Sequence, residues 1–264
     1  MMVSVTSQIG VGTSRWATGV SVADINSDGL LDVYVSVSGS KVPELRKNYL
    51  FVNEGVRDEG IPVFTDMAEE YGLACTTYSS QAVFFDYDLD SDLDLFVAVN
   101  YPENFYGSSM NKLTSVIKGV LEKSDRLFEN RGYTDTGQMI FEDVSETAGI
   151  VYKGYSLGVA AMDINEDGWP DIYLSNDFLS NDIIYINNQD GTFTNKIGVY
   201  FKHTTFAGMG CDVADYNNDG LLDIAVPDMI PDDNSRQKSM LRSTNYDIFN
   251  IRKKLGYHPQ FNRN

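Results

Sequence analysis

Short apolar runs rich in β-branched and aromatic residues recur in pairs along the chain. The runs 19–24 and 31–36 form the first such pair, and the runs 49–53 and 63–66 form the second pair that follows it. This composition is typical of strands, and the Asp, Asn and Gly residues between the runs are typical of turns. The pattern therefore predicts repeated units of four antiparallel strands, each built from two hairpins.

The turn of the first hairpin in each unit follows one nine-residue pattern, D-x-[DN]-x-D-[GS]-x-x-D. We number its four copies loop one to loop four, and they cover 24–32, 86–94, 163–171 and 215–223. Oxygen side chains at positions 1, 3, 5 and 9 and the carbonyl of position 7 can converge on one hard cation when Gly turns the loop at position 6. The sequence therefore predicts up to four Ca²⁺ sites.

The predicted ligands occupy equivalent positions in every loop. They are Asp24, Asn26, Asp28, Leu30 and Asp32 in loop one; Asp86, Asp88, Asp90, Asp92 and Asp94 in loop two; Asp163, Asn165, Asp167, Trp169 and Asp171 in loop three; and Asp215, Asn217, Asp219, Leu221 and Asp223 in loop four. Loop two departs from the pattern because Ser91 replaces Gly at position 6 and Asp92 adds a charge at position 7. The first change weakens the turn and the second adds charge, so the affinity of loop two is the hardest to predict.

Two other interpretations of these loops must be weighed. An EF-hand shares the first half of the pattern but requires a bidentate Glu at position 12 and flanking helices. Position 12 is apolar in all four copies: Val35, Val97, Leu174 and Val226. Asp, Asn and Gly clusters are also ordinary turn formers, but four copies that share the ninth-position Asp favour cation binding over turn chemistry alone.

A longer unit surrounds each loop. An aromatic residue stands eight positions before the first Asp in three units, as Trp16, Tyr78 and Tyr155, and Gly stands five positions before it in three units, as Gly19, Gly158 and Gly210. Gln81 is the exception at the Gly position, and Phe206 is an aromatic displaced by one. The units cover approximately 16–68, 78–145, 155–195 and 206–264, the last without a recognisable second hairpin. We predict an all-β fold, an incomplete β-propeller of about 3.5 four-stranded antiparallel blades with calcium-binding hairpin loops and helical insertions.

Charge supports cation binding and argues against nucleic acid. The formal net charge is −18, and the four loops hold 15 of the 38 acidic residues. Such clusters repel one another unless they are neutralised, and they offer no clustered Lys and Arg for phosphate. No apolar run is long enough for a membrane span, and residues 1–6 lack the features of a signal peptide, so we expect any export signal to lie outside this chain.

The sequence offers no convincing catalytic constellation. His203 and His258 lie in different segments, and neither has the spacing of a zinc site or of a nucleophile motif. The cysteines, Cys75 and Cys211, are better interpreted as small buried hydrophobes than as a disulfide or as reactive thiols. We therefore expect a protein that is not an enzyme.

Three segments are candidates for ligand or partner contacts. Residues 111–123 form a predicted helix with one apolar face, which suits a rim helix packed on its own blade better than a docking helix. Residues 101–106 precede it, and residues 175–182, with Phe178, could form a shelf for sugars or simply a turn. The basic segment 234–264 could contact an acidic partner or neutralise the neighbouring acidic blades.

These features together resemble the FG-GAP/VCBS repeat family, the calcium-loop β-propellers related to the head of integrin α-subunits. The segments 64–73 and 141–150 resemble the linker between blades in the bacterial branch that often carries an ASPIC/UnbV module. The resemblance implies a secreted or surface-exposed protein, commonly an outer-membrane lipoprotein in assemblies that import glycans or peptides. It also implies a parent propeller of about seven blades. We expect this chain to be a part of such a propeller, because an open ring leaves strand edges unprotected.

The sequence therefore predicts a calcium-stabilised binding or scaffold module at the cell surface or outer membrane. Its expected partner is a protein assembly, such as a TonB-dependent transporter complex, or a glycan. The alternative is a calcium-assisted polysaccharide lyase or another glycan-active enzyme. A lyase needs a base near an acidic sugar and a cationic clamp, and only the basic segment 234–264 offers such a clamp.

Overall fold

The computed structural model describes residues 9–57, 60–102, 123–153, 155–177 and 180–229, together with positions 233, 235, 236, 250, 253 and 254. Several predicted features fall outside the described residues. These are the helix 111–123 except Lys123, most of 101–106, Phe178, His258 and most of the basic segment 234–264.

The described strands form three four-stranded sheets and one two-stranded sheet, and every neighbouring pair within a sheet is antiparallel. Sheet one contains β1 (Trp16–Ala23), β2 (Asp32–Ser38), β3 (Tyr49–Val56) and β4 (Pro62–Asp66). Sheet two contains β5 (Ser79–Phe85), β6 (Asp94–Val99), β7 (Arg126–Tyr133) and β8 (Met139–Asp143). Sheet three contains β9 (Ser156–Met162), β10 (Asp171–Asn176), β11 (Ile183–Asn187) and β12 (Phe193–Asn195), and sheet four contains β13 (Asp212–Ala214) and β14 (Asp223–Ala225).

The strands follow one another in chain order across each sheet, so every sheet is a simple meander. This arrangement confirms the predicted all-β fold of four-stranded antiparallel units, which form no closed ring in the described chain. Two short helical elements lie within the described ranges: a 3₁₀ turn, Pro43–Arg46, and a helix, α1 (Ile197–Tyr200). Among the described residues, no helix is long and apolar enough to cross a membrane.

The core lies between the sheets. Tyr34 and Leu50 of sheet one pack with Leu95 and Phe128 of sheet two, and all four side chains are at most 5% exposed. Sheets two and three share a second core, and sheets three and four share a third. Because sheets two and three bury apolar side chains on both faces, they are held mainly by their neighbours, as expected for stacked repeats.

The first strands of adjacent sheets approach one another closely. Thr18 Oγ1 donates to the carbonyl of Ser79 at 2.7 Å, and Ser80 Oγ donates to the carbonyl of Ser156 at 2.6 Å. A Cβ atom at Gly19 would lie 2.6 Å from the carbonyl oxygen of Ser80. A Cβ atom at Gly158 would likewise lie 2.6 Å from the main-chain nitrogen of Cys211, so close approach explains the Gly five residues before loops one and three. Gly210, before loop four, has nothing within 4 Å of this position.

Candidate metal centre

The first Asp of each loop organises the turn around its carboxylate. In loop one, Asp24 Oδ1 accepts the N–H of Asp28 at 3.0 Å, and Asp24 Oδ2 accepts the N–H of Gly29 at 2.8 Å. The same pair of bonds recurs at Asp86, Asp163 and Asp215. Four separate segments therefore fold into one loop geometry, in which the side chains at positions 1 and 5 accept main-chain N–H groups. The Asn at position 3 does the same in loops one, three and four.

Position 6 has left-handed backbone in every loop. Its φ angle is +85° at Gly29, +88° at Gly168 and +89° at Gly220, and +78° at Ser91 in loop two. Glycine adopts this conformation without steric cost, whereas serine does not. The predicted weakness of the turn in loop two thus corresponds to a strained backbone at Ser91.

The ninth Asp joins the loop to the second hairpin of its own sheet. Asp32 is 1% exposed; its Oδ2 accepts the N–H of Ile25 at 3.1 Å and its Oδ1 accepts the N–H of Asn53 at 2.7 Å. Asp94 and Asp171 repeat both bonds, the first with Tyr87 and Asn130 and the second with Ile164 and Asn187. These buried carboxylates therefore fix two hairpins relative to one another.

An Asn of the third strand completes this connection, and sequence reasoning did not assign it a role. Asn53 Nδ2 donates to the carbonyl of Leu31, at position 8 of loop one, at 3.2 Å. Its Oδ1 accepts the N–H of Gly55 at 3.0 Å. Asn130 and Asn187 make the equivalent bonds. The signal was present in the sequence, because each of these Asn residues opens the turn of a second hairpin.

Loop two has the strongest features of a cation site. Oxygens of Asp86, Asp88 and Asp94 lie within 4.8 Å of one another, and only this loop brings three acidic side chains so close in the part of the chain that the structure describes. Asp88 Oδ1 and Asp92 Oδ1 are buried and have no hydrogen-bond partner. Buried carboxylate oxygens without a donor suit a hard cation such as Ca²⁺, which prefers oxygen ligands.

The carboxylates of loop two have raised pKa values because they are buried and close to one another. Burial, which is the largest cause, and the neighbouring carboxylates raise the pKa of Asp94 to about 8 and the pKa of Asp92 to about 6. Burial and Asp90 also raise the pKa of Asp88. A divalent cation would reverse this balance by favouring the charged carboxylates.

In loops one and three, an Asn side chain donates a hydrogen bond to a carboxylate of the same loop. Asn26 Nδ2 donates to Asp28 Oδ2 at 3.0 Å, and Asn165 Nδ2 donates to Asp167 Oδ2 at 2.9 Å. The N–H of Trp169, and then Asn165, lower the pKa of Asp167. Loops one and three therefore keep the predicted ligand types, with an amide at position 3 in place of the carboxylate of loop two.

A second buried polar contact lies in each four-stranded sheet, at the end opposite its loop. Asn48, Asp125 and Asp182 precede the third strand and accept an N–H from the end of the second strand, at 2.8, 2.7 and 2.9 Å. Tyrosine hydroxyls bond to two of these side chains: Tyr34 to Asn48 and Tyr173 to Asp182. Phe96 stands at the equivalent position in sheet two, so Asp125 Oδ2 has no partner, and burial raises the pKa of Asp125 to about 7.

Several polar residues of the predicted ligand shelf are buried, whereas Asp177 and Asn181 are half-buried. Ser175 and Asn176 are fully buried in β10, and Asp182 accepts bonds from Asn176 and Thr205. These side chains hold the sheet together, so they are not available to a ligand in this conformation. His203 is exposed between α1 and β13.

The two cysteines are free thiols that pack against different cores. Burial raises the pKa of Cys75, and it raises the pKa of Cys211 to about 11. Such thiols are poor nucleophiles at neutral pH, in agreement with the interpretation of both residues as small hydrophobes.

Part of the chain matches a known family of repeats. Residues 163–226 match the family model described as FG-GAP-like repeat, and this segment runs from the start of loop three past the end of β14. No curated protein matches the chain significantly. The match confirms the predicted resemblance to FG-GAP/VCBS repeat proteins, and the bacterial branch with an ASPIC/UnbV module stays a prediction.

Proposed function

We propose that this chain is a calcium-stabilised binding or scaffold module of the FG-GAP type. The observation that carries the proposal is loop two, where three carboxylates converge within 4.8 Å and buried oxygens of Asp88 and Asp92 have no hydrogen-bond donor. The FG-GAP-like match supports it, since such repeats commonly bind calcium and usually serve as binding or scaffold domains rather than as enzymes.

The residues that would hold the cation are those at positions 1, 3, 5, 7 and 9 of each loop. In loop two these are five carboxylates, and in loops one and three an amide and a main-chain carbonyl replace two of them. Bound Ca²⁺ would supply the positive charge that allows these oxygens to stay together away from bulk water. Asp32, Asp94 and Asp171 already connect two hairpins, so cation binding at a loop would stabilise its whole sheet.

The role that follows is structural support for a surface that recognises other molecules. We place the protein at the cell surface or outer membrane, where Ca²⁺ is abundant enough for modules with dissociation constants of about 10⁻⁴–10⁻³ M. Its partner would be a protein assembly such as a TonB-dependent transporter complex, or a glycan. Copurification of such a transporter from membranes with the intact protein would support the first partner, and its absence from the purified complex would contradict it.

Lanthanide luminescence tests the cation sites directly. Tb³⁺ replaces Ca²⁺ at oxygen sites, and Trp169 at position 7 of loop three would sensitise an ion bound there. We expect sensitised emission that Ca²⁺ displaces, and loss of that emission in Asp163→Ala. Asp135→Ala is the matched control, because Asp135 is an exposed turn residue outside the loops. Emission that survives in Asp163→Ala would remove this residue from the ligand set.

A further inference from the structure

One buried amide connects loop two to loop three. Asn187 lies at the end of β11 and is 3% exposed. Its main-chain N–H donates to Asp171 Oδ1 at 2.8 Å, and its side-chain Nδ2 donates to the carbonyl of Tyr87 at 2.8 Å. Asp171 is the ninth residue of loop three and Tyr87 is the second residue of loop two, so Asn187 contacts both loops.

The connection continues to the ninth residue of loop two. The N–H of Tyr87 donates to Asp94 Oδ2 at 3.1 Å. A continuous chain of hydrogen bonds therefore runs from Asp94 through Tyr87 and Asn187 to Asp171, and all four residues are at most 3% exposed. The Tyr87 ring packs against Phe193 of sheet three, with ring centroids 6.0 Å apart, and helps to fix this arrangement.

The equivalent residue of sheet two makes no such connection. Asn130 Nδ2 donates to the carbonyl of Leu93 in its own sheet at 3.4 Å. Among the described residues, Asn130 makes no hydrogen bond to loop one, although its main-chain N–H donates to Asp94 as Asn187 does to Asp171. Loops two and three are thus connected by a chain that loops one and two lack.

We propose that Asn187 couples the cation sites of loops two and three, so that an ion in either loop raises the affinity of the other. The inference rests on the proposed cation binding and adds its regulation. A cation that draws Asp94 or Asp171 into its ligand shell orders the shared chain, so the second cation binds to loops that are already partly ordered. Within the described parts of the chain no equivalent hydrogen bonds reach loop one, so loop one binds its cation independently.

The test measures the affinity of loop three while another loop is disabled. Displacement by Ca²⁺ of Tb³⁺ sensitised by Trp169 reports loop three in the full chain. Asp86→Ala, which disables loop two, should weaken the Ca²⁺ affinity of loop three about fivefold or more, the usual range for coupled sites. Asp24→Ala, which disables loop one, should leave it unchanged.

The role of Asn187 itself is tested by combining variants. In the Asn187→Ala background, Asp86→Ala should no longer change the affinity of loop three. Asn53→Ala is the matched control, because Asn53 makes the corresponding contacts within sheet one, and in that background the effect of Asp86→Ala should persist.

The possible failures are distinguishable. Absence of sensitised Tb³⁺ emission in the unmodified chain would contradict the proposed cation site itself. Equal affinities in the unmodified chain, Asp86→Ala and Asp24→Ala would overturn the coupling, and this result does not depend on whether Asn187→Ala folds. Coupling that persists in Asn187→Ala would overturn the assignment of this residue.

Discussion

Sheet two has the same strand order and loop pattern as sheets one and three. Its loop differs from theirs in two properties, the number of carboxylates and the strain of the backbone at position 6. Loop two has Asp88 and Asp92 at the positions that loop one fills with Asn26 and Leu30, and it has Ser91 where the other loops have Gly. The result is buried oxygens without donors and a serine in left-handed backbone. Without a cation, loop two is therefore the least favourable of the four.

Sheet two also has an unpartnered carboxylate oxygen at the end opposite its loop. Phe96 replaces the tyrosine found in sheets one and three, and Asp125 is left with an unpartnered oxygen. Gln81 likewise occupies the position that glycine holds in both neighbours. The comparison teaches that equivalent repeats need not be equally stable, and that the stability of sheet two depends more on ions and pH than that of its neighbours.

The largest effect should come from removing calcium. A loop occupied at about 100 times its dissociation constant gains roughly 2.7 kcal/mol, so chelation should lower the melting temperature substantially. Thermal unfolding with calcium and with EDTA measures this difference. Equal melting temperatures in the two conditions would contradict a structural role for the ion.

A double substitution sharpens this experiment for loop two. Asp88→Asn with Asp92→Leu gives loop two the residues of loop one at positions 3 and 7. We expect the variant to melt above the unmodified chain in EDTA, because two crowded carboxylates are gone, and to gain less from calcium. A variant that melts lower in both conditions would show that these carboxylates do not destabilise the ion-free loop.

The next effect concerns pH and Asp125. Its pKa of about 7 lies above the ordinary value of 3.8, so its contribution to stability is complete below pH 3.8 and is lost as the pH rises to about 7. The slope is up to about 1.4 kcal/mol per pH unit. Subtracting the unfolding free energies of Asp125→Asn from those of the unmodified chain cancels Asp94, which titrates in the same direction.

Phe96→Tyr offers an independent check of this interpretation. It would supply the hydroxyl that bonds to Asp182 in sheet three, where Tyr173 donates at 3.0 Å. A donor to the charged carboxylate lowers its pKa, so the stability loss should still begin near pH 3.8 but should end at a lower pH and be smaller. An unchanged pH profile in both variants would show that the pKa of Asp125 is the same in the folded and unfolded protein.

A smaller effect is expected where adjacent sheets approach. Gly19→Ala would place a Cβ atom 2.6 Å from the carbonyl oxygen of Ser80, and overpacking of this kind costs about 1–3 kcal/mol. Gln81→Ala, at the equivalent position of sheet two, adds no atom and should cost less. Denaturant unfolding of both variants measures the difference, and equal losses would contradict the close approach at Gly19.

The smallest effect concerns the backbone of loop two. Ser91→Gly should raise the unfolding free energy by about 1 kcal/mol, because glycine relieves the left-handed strain. Gly29→Ser is the reciprocal change in loop one, where a Cβ would have nothing within 4 Å, and it should cost a similar amount. Destabilisation by Ser91→Gly would mean that the serine side chain contributes more than the strain removes.

The sequence predicted those features that arise from nearby residues. The hairpins and the loops depend on strand-forming runs and on turn residues within nine positions, so their pattern is visible in the chain. The contact between Asn187 and Tyr87 joins residues 100 positions apart. Nothing local distinguishes Asn187 from Asn130, and only the packing of sheet three on sheet two brings the amide to the neighbouring loop.

The Asx residues before each third strand have a consequence for how such a chain tolerates new sequence. The second and third strands are joined between Ser38 and Tyr49, between Val99 and Arg126, and between Asn176 and Ile183, which are connections of very different length. Yet Asn48, Asp125 and Asp182 return to the same N–H at the end of the second strand. This hydrogen bond fixes the register of the second and third strands whatever the length and sequence of the connection. Foreign segments can therefore be inserted into the connection while the two strands keep their register.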